Sequence, residues 1–253
     1  MSLWRHMTTA SRVAGSLGYH CTYGAVVNPS ASRAFIREVA NAIADFRHRP
    51  KVCIPQRWLD ELCPGIGTED GTARSGRTYA ELPALELLCL RAIVRHLRPA
   101  VSFEIGTNRG RTTRLIAEQA PEHAKVYTLD LPPEQIATRE HIDAIASTGE
   151  VGEAYRNRPI ASKITQLFGN SRTFDFSRFY GKVDFIFIDA DHSYEAVKHD
   201  TAQALRMIRP GGVIVWDDCT LVHAGVVRCL EELAASHPVS NIRMTRLAYC
   251  AVD

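Results

Sequence analysis

Long apolar runs are absent from this sequence of 253 residues. No stretch approaches the roughly 18 consecutive apolar residues that a membrane-spanning helix needs. Residues 1–9 also lack the apolar core of a secretory signal peptide. We therefore expect a protein that stays in the cytoplasm and has no membrane partner.

The cysteines lack the spacing of a structural framework, and basic charge is not concentrated. The cysteines number seven, an odd count, and no two are spaced as Cys-x-x-Cys, which favours neither a disulfide framework nor a cysteine zinc site. The formal net charge is only +2, and the arginines and lysines of the first 60 residues are dispersed. Since nucleic-acid-binding domains usually carry a basic face, we expect no nucleic-acid partner.

The length and composition suit one large α/β core with an N-terminal extension, because 45% of the residues are hydrophobic. Residues 1–77 show no alternation of strand and helix patterns; a helix is predicted over 32–47, and prolines and glycines interrupt the remainder. We predict that residues 1–77 form an extension, either a helical cap or a tail. Residues 78–253 are predicted to form one catalytic domain.

A glycine-containing turn follows the first clear strand pattern. Val101–Ile105 reads as a short buried strand and Arg111–Gln119 as a helix, with Gly106 and Gly110 at the ends of the turn between them. Such strand–turn–helix units commonly bind cofactors.

The spacing within the turn excludes two phosphate-binding motifs. A dinucleotide fingerprint counted from Gly106 needs glycine at the positions of Asn108 and Arg111. A P-loop needs one more residue between Gly106 and Gly110, and lysine where Arg111 stands. A turn with glycine only at its ends suits an adenosyl ligand with no phosphates to bind.

Four strands of the predicted sheet bring acidic residues to its carboxyl edge. The strand pattern over 125–129 ends in Asp130, whose carboxylate can accept the hydroxyl protons of a ribose. Val183–Ile188 leads to Asp189, and the pattern over 213–216 leads to two further acids. In an open parallel sheet, ligands bind beyond the carboxyl ends of the strands. We therefore predict a doubly wound, mostly parallel α/β sheet with its ligand site at this edge.

Three motifs carry a resemblance to a known family. They read Glu104-x-Gly106-x-x-x-Gly110, FIDADH over 187–192 and RPGGVIVWDD over 209–218. In this combination, residues 78–252 resemble the class I S-adenosylmethionine (SAM)-dependent methyltransferases, in particular the small-molecule O-methyltransferases. The resemblance implies a seven-stranded Rossmann-like sheet whose last strands, one of them antiparallel, lie within 241–252.

The resemblance also implies a cofactor site for SAM along the predicted edge. The turn after the first strand would lie under the methionine part, Asp130 would bind the ribose, and a turn at 169–171 would border the adenine. The implied cofactor-binding residues are Glu104, Gly106, Thr107, Asn108, Gly110, Asp130, Leu131, Gly169, Asn170, Ser171 and Asp189.

A metal site is the first of two catalytic hypotheses. Asp189, Asp217 and Asp218 offer the oxygen ligands that Mg²⁺ prefers, and a bound cation would lower the pKa of an acceptor hydroxyl. The resemblance includes metal-dependent members with acids at these positions. It also includes members that need no metal, and clustered acids can equally cap helices or end strands in solvent.

The second hypothesis is that His192 is a catalytic residue that acts beside Asp189. An imidazole is competent to accept a proton near neutral pH. The alternative is a histidine that only caps the helix starting near Ser193. His223 follows Asp218 closely enough to reach the same edge, although a surface position is the simpler interpretation.

The sequence thus predicts methyl transfer from SAM to a hydroxyl of a small molecule, such as a sugar or a natural product. The alternatives are an NAD-type oxidoreductase, which Asn108 and Arg111 disfavour, and a non-catalytic adenosyl-binding module. The extension at 1–77 is predicted to cover the active site or to form homo-oligomer contacts. Residues 131–159 exceed the length of a simple crossover and are predicted to form a lid.

Overall fold

The computed structural model describes residues 54–66, 82–136, 150–220 and 223–253, together with Val26, Pro29, Ser32 and Arg33. Most of the predicted helix over 32–47 and residues 137–149 of the predicted lid lie outside this part of the chain.

The centre of the fold is one sheet of eight strands in the order β1-β7-β8-β6-β5-β2-β3-β4. Strands β4, β3, β2, β5 and β6 run parallel, β8 is antiparallel to both of its neighbours, and β1 is parallel to β7. The strands are β1 (Gln56–Arg57), β2 (Val101–Ile105), β3 (Lys125–Asp130), β4 (Ile164–Phe168), β5 (Val183–Ile188), β6 (Ile208–Trp216), β7 (Ser240–Ile242) and β8 (Ala248–Ala251).

Helices cover both faces of this sheet. Those in the described residues are α1 (Leu59–Leu62), α2 (Leu82–Leu97), α3 (Arg111–Gln119), α4 (Pro133–Ile136), α5 (Tyr194–Met207) and α6 (Ala224–Leu233), with 3₁₀ turns at Pro159–Lys163 and Ser177–Phe179. In the described part of the chain, no helix combines the length and the apolar character needed to cross a membrane.

Strand β5 shows why the sheet is covered on both sides. All six of its residues are buried, and alternate side chains of a strand point to opposite faces. Phe185 and Phe187 pack into the core layer that contains residues of α2 and α3. Ile186 and Ile188 pack into the layer that contains residues of α5 and α6. The predicted doubly wound, mostly parallel sheet is therefore confirmed.

An eighth strand is the main difference from the predicted seven. Gln56 pairs with Asn241, which adds β1 to the sheet beside β7. Leu59 and Cys63, which follow this strand, are buried in the core layer of α2. This short segment therefore belongs to the sheet, although it lies in the predicted extension at 1–77. A strand of two residues is too short to show the period-two pattern by which strands are recognised.

The chain order changes direction between β2 and β5. From β2 the chain continues through β3 and β4 towards one edge, then returns to β5 and β6 on the other side. Ligands of open α/β sheets bind at such a switch point, beyond the carboxyl ends of the strands. Four adjacent strands end here and position the candidate site. Their last residues are Ile105, Asp130, Ile188 and Trp216.

Candidate active site

Gly106 begins the turn after β2 in the left-handed region, with φ +105°. A Cβ at this position would lie 1.9 Å from the carbonyl oxygen of Asp189. The amide of Asp189 in turn donates a 2.8 Å hydrogen bond to the carbonyl of Ile105. We expected a glycine here for the approach of the cofactor, whereas the structure shows the protein's own backbone as the close neighbour. The glycine joins the turns after β2 and β5.

Gly110 ends the turn as the N-cap of α3, with φ +75°. A Cβ here would lie 2.5 Å from the ring of Tyr155, a buried residue of the predicted lid. The amides of Gly152 and Ala154 donate 2.9 Å hydrogen bonds to the carbonyls of Asn108 and Arg109, respectively. The end of the 131–159 segment is therefore packed against the turn. Length alone did not reveal this contact.

Glu104 is a buried acid directly before the turn, 1% exposed. Its Oε2 accepts hydrogen bonds from the hydroxyls of Thr113 and Thr128, while Oε1 is buried without a hydrogen-bond partner. Burial raises the pKa of the Glu104 carboxyl to about 8, against the effect of the two hydroxyls, and the carboxylates of Asp189 and Asp130 raise it further. A buried acceptor of this kind fits a cationic group of a ligand.

Thr107 lies beneath the turn rather than at its surface. Its hydroxyl is 2.7 Å from that of Thr128 and accepts a 3.0 Å hydrogen bond from Gln166. The Tyr155 hydroxyl donates to the same Gln166 side chain at 2.5 Å. The Thr107 side chain therefore supports the turn, and a contact with a cofactor would involve its main chain.

Asp130 is fixed at the end of β3 by two backbone amides. Its Oδ2 accepts from Asn108 at 2.6 Å and its Oδ1 from Leu131 at 2.7 Å. Asn108 has φ 47°, in the left-handed region. Because a carboxylate has about four lone-pair sites, each oxygen keeps capacity for a hydroxyl donor. The geometry fits the predicted binding of ribose.

The predicted adenine segment lies beside Asp130. The amide of Gly169 donates a 2.9 Å hydrogen bond to the Asp130 carbonyl. Asn170 closes the turn through its side-chain oxygen, which accepts from the amide of Arg172 at 3.0 Å. The carbonyl of Ser171 lies 3.1 Å from Nε2 of His199. These bonds place the 169–171 turn next to the acid that ends β3.

The carboxyl ends of β5 and β6 bring two histidines to one acid. Oδ2 of Asp218 lies 3.2 Å from Nε2 of His192 and 3.5 Å from Nε2 of His223. The ring centroids of the two histidines are 4.3 Å apart. His192 also lies 3.7 Å from Oδ1 of Asp189. The His223 side chain is only 19% exposed, so the surface position expected for it is wrong.

Arg246 binds the other carboxylate oxygen of Asp218. It donates to both carboxylate oxygens of Glu86, at 2.9 and 2.8 Å, and to Oδ1 of Asp218 at 2.8 Å. These bonds, led by those to Glu86, hold the pKa of the guanidinium above its ordinary range. Neither residue was predicted. An acid within the apolar helix pattern of α2 was a signal for Glu86, but nothing local identified its partner 160 residues away.

Asp217 lies near two other carboxylates, those of Asp189 and Asp218. Burial raises the pKa of its carboxyl to about 7, and the carboxylates of Asp189 and Asp218 raise it further, while Arg246 opposes the shift. Among the described residues, His192, Asp218 and His223 offer ligand atoms that all lie within 4.8 Å of one another. This group shares only Asp218 with the predicted set of three acids. That three-acid metal site stays a prediction.

Comparison with known proteins gives one family match. The model of a methyltransferase domain family matches residues 103–219, the part of the chain from β2 to the end of β6. No curated protein sequence matches the chain significantly.

Solved structures with a similar fold include three methyltransferases. An O-methyltransferase from Bacillus cereus, in complex with S-adenosylhomocysteine (SAH), is 18% identical, with 90% of this chain and 95% of that chain covered and a TM-score of 0.48. An O-methyltransferase from Streptomyces achromogenes, involved in tomaymycin synthesis and in complex with SAM, is 18% identical, with 77% and 89% covered and a TM-score of 0.47. An SAH-bound methyltransferase from Podospora anserina is 16% identical, with 85% and 96% covered and a TM-score of 0.48.

The match over 103–219 contains the turn after β2, the acid that ends β3 and the acids that end β5 and β6. Residues 103–219 of the chain therefore match a methyltransferase domain.

Proposed function

We propose that this protein transfers the methyl group of SAM to a hydroxyl of a small molecule, such as a sugar or a natural product. The proposal depends on one observation, the combination of three side chains at a single sheet edge. They are a buried acid with one oxygen that lacks a hydrogen-bond partner, a carboxylate that can accept ribose hydroxyls, and a histidine near two carboxylates. These are Glu104, Asp130 and His192.

The cofactor residues follow from their positions along this edge. Glu104, with Oε1 lacking a hydrogen-bond partner, is the acid proposed to face the cationic methionine part of SAM. Asp130 is proposed to accept the ribose hydroxyls, and the turn at 169–171 to border the adenine. SAM supplies an activated methyl group when bound, so the protein must align the acceptor and manage its proton.

His192 is the proposed residue for the acceptor proton. Its Nε2 lies within reach of carboxylates on two sides, Asp189 at 3.7 Å and Asp218 at 3.2 Å. Carboxylates beside an imidazole orient the ring and stabilise the protonated form. In the metal-free enzyme, His192 would therefore accept the hydroxyl proton, with Asp189 as its catalytic neighbour.

A divalent cation is the second part of the predicted chemistry. Asp189, Asp217 and Asp218 supply oxygen ligands of the type that Mg²⁺ prefers. Assistance by Mg²⁺, the cytoplasmic location and a homo-oligomer formed through the extension all stay predictions.

The test is a methyl-transfer assay with isotope-labelled SAM and an extract of small metabolites, with mass spectrometry of the labelled product. We expect a labelled O-methyl ether, formed more slowly by Asp130→Ala when SAM is below saturation. Labelled product on nitrogen or sulfur would contradict the hydroxyl acceptor. Binding of SAM without transfer to any acceptor would instead support a non-catalytic module.

A further inference from the structure

Two imidazoles face the same carboxylate oxygen beyond β5 and β6. Nε2 of His192 and of His223 lie 3.2 and 3.5 Å from Oδ2 of Asp218, and the ligand atoms all lie within 4.8 Å of one another. We propose that His192, Asp218 and His223 bind one divalent first-row transition-metal ion, such as Zn²⁺.

The donor set decides the class of ion. Imidazole nitrogens suit Zn²⁺ and its neighbours in the first transition row, whereas sites built only from carboxylates suit Mg²⁺. Two histidines and one acid leave coordination positions open for water or an acceptor oxygen, as in catalytic zinc sites. This donor set therefore predicts tighter binding of Zn²⁺ than of Mg²⁺. The three-acid set contains no imidazole, so a Zn²⁺ affinity that falls when His223 is replaced distinguishes the two sets.

The carboxylate ligand is held in place by a second layer of hydrogen bonds. Oδ1 of Asp218 accepts from Arg246 at 2.8 Å, and Glu86, which is buried, binds Arg246 through both of its oxygens. The other oxygen of Asp218 is thereby left on the side of the histidines. Such outer partners orient metal ligands in proteins and stabilise the site.

A close backbone contact brings the two histidines together. A Cβ on Gly225, the second residue of α6, would lie 2.5 Å from the carbonyl oxygen of His192 and from the amide nitrogen of Tyr194. Only glycine permits this approach of α6 to the start of α5. His223, the N-cap of α6, is placed beside His192 as a result. The arrangement is built into the fold rather than formed by two surface side chains.

The charge of the surroundings also favours a cation. Asp189 and Asp218 both lie within 3.7 Å of His192. Asp217 and Asp218 share the guanidinium of Arg246 with a fourth acid, Glu86. A dication would offset the remaining negative charge. The part that the ion plays in methyl transfer rests on the function proposed above, whereas its binding does not. With the ion bound, His192 is a ligand, and an acceptor oxygen at an open position is more easily deprotonated.

The test measures metal binding by the full chain in the absence of SAM and acceptor. Protein stripped of metal is titrated with Zn²⁺ and separately with Mg²⁺ by calorimetry, and with Co²⁺ by visible absorption. We expect one ion per chain, with Zn²⁺ bound more tightly than Mg²⁺. Loss of a ligand should cost at least as much as loss of an outer-shell partner, so His223→Ala and His223→Gln should weaken Zn²⁺ binding by at least about 10-fold.

Two further variants complete the design. His123→Ala, which removes an exposed histidine distant in sequence, should leave Zn²⁺ affinity unchanged, and thermal unfolding without metal verifies that each variant is folded. Asp189→Asn separates the two donor sets, because it removes a ligand only from the three-acid set. Unchanged Zn²⁺ affinity in both His223 variants would overturn the proposal. Loss of binding in Asp189→Asn but not in the His223 variants would also overturn it.

Discussion

At the scale of single residues, Glu104 links burial to the pH dependence of stability. The carboxyl is buried, and its pKa is raised to about 8. A carboxyl with a raised pKa in the folded state stabilises the fold below its ordinary pKa, and this stabilisation is lost as pH rises through the folded value. Glu104 therefore lowers the free energy of unfolding as pH rises towards about 8.

Replacing this acid tests that statement. In the cofactor-free protein, Glu104→Gln should flatten the decline of the free energy of unfolding between about pH 5.5 and about pH 8.5, because an amide does not ionise. Urea denaturation at several pH values measures the effect. The exposed acid Asp175 offers a control, since Asp175→Asn should keep the wild-type slope. An unchanged slope in Glu104→Gln would show that another group causes the decline.

Replacement of Asp130 should weaken binding of the cofactor. Removal of an ionised acceptor costs about 1.5 to 3 kcal/mol, so Asp130→Ala should weaken binding of SAH by roughly 10- to 100-fold. The reason is that its two oxygens, each already bonded to a backbone amide, lie at the carboxyl end of β3. Calorimetry of SAH binding gives the measurement, with Asp175→Ala as the control. Equal affinities would place the ribose elsewhere.

His192 carries the prediction for turnover. General-base assistance typically contributes about 10²- to 10⁴-fold in rate, so His192→Ala should lower kcat within that range while SAM affinity changes little. His192→Gln retains hydrogen bonding but accepts no proton at neutral pH. Turnover should therefore lose its acidic limb in both variants and keep it in His123→Ala. An acidic limb that persists in both His192 variants would assign the base to another group.

At the scale of elements, the turns after β2 and β5 act as one unit. Gly106 and Gly181 both have positive φ, but only Gly106 is crowded, since a Cβ at Gly181 would meet nothing within 4 Å. Gly181→Ala should lower the free energy of unfolding by only about 1 to 2 kcal/mol, which is the cost of a left-handed backbone conformation for a residue with a Cβ. Gly106→Ala should lose clearly more free energy of unfolding, because its Cβ would overlap the Asp189 carbonyl. Equal losses, measured by denaturation, would contradict this coupling of the two turns.

Elements with strong local patterns were predictable, and contacts between elements were not. The predicted strand Val101–Ile105 and the helix Arg111–Gln119 have the observed bounds, because burial imposes a clear periodicity on them. The two-residue strand β1 has no such signal. The crowding of Gly106 by Asp189 depends on the pairing of β2 with β5, which local sequence does not encode.

At the scale of the whole molecule, topology gathers the site from distant parts of the chain. The order β6-β5-β2-β3-β4 places the carboxyl ends of these strands along one edge, so the acids predicted for a common edge could be recognised from their strand patterns. His223 and the Glu86–Arg246 pair reach the same region through α6, α2 and the segment before β8. Their contributions depend on tertiary packing, and of the three only His223 was recognised from the sequence as within reach of this edge.

We propose that SAM binds at this edge through the turn after β2 and the acid that ends β3. A crystal structure of the protein with SAH tests it most directly. We expect one SAH per chain, with its ribose hydroxyls within hydrogen-bond distance of the Asp130 carboxylate and its amino-acid part beside the turn from Gly106 to Gly110. SAH bound at any other edge of the sheet, with Asp130 free of ligand, would contradict the account.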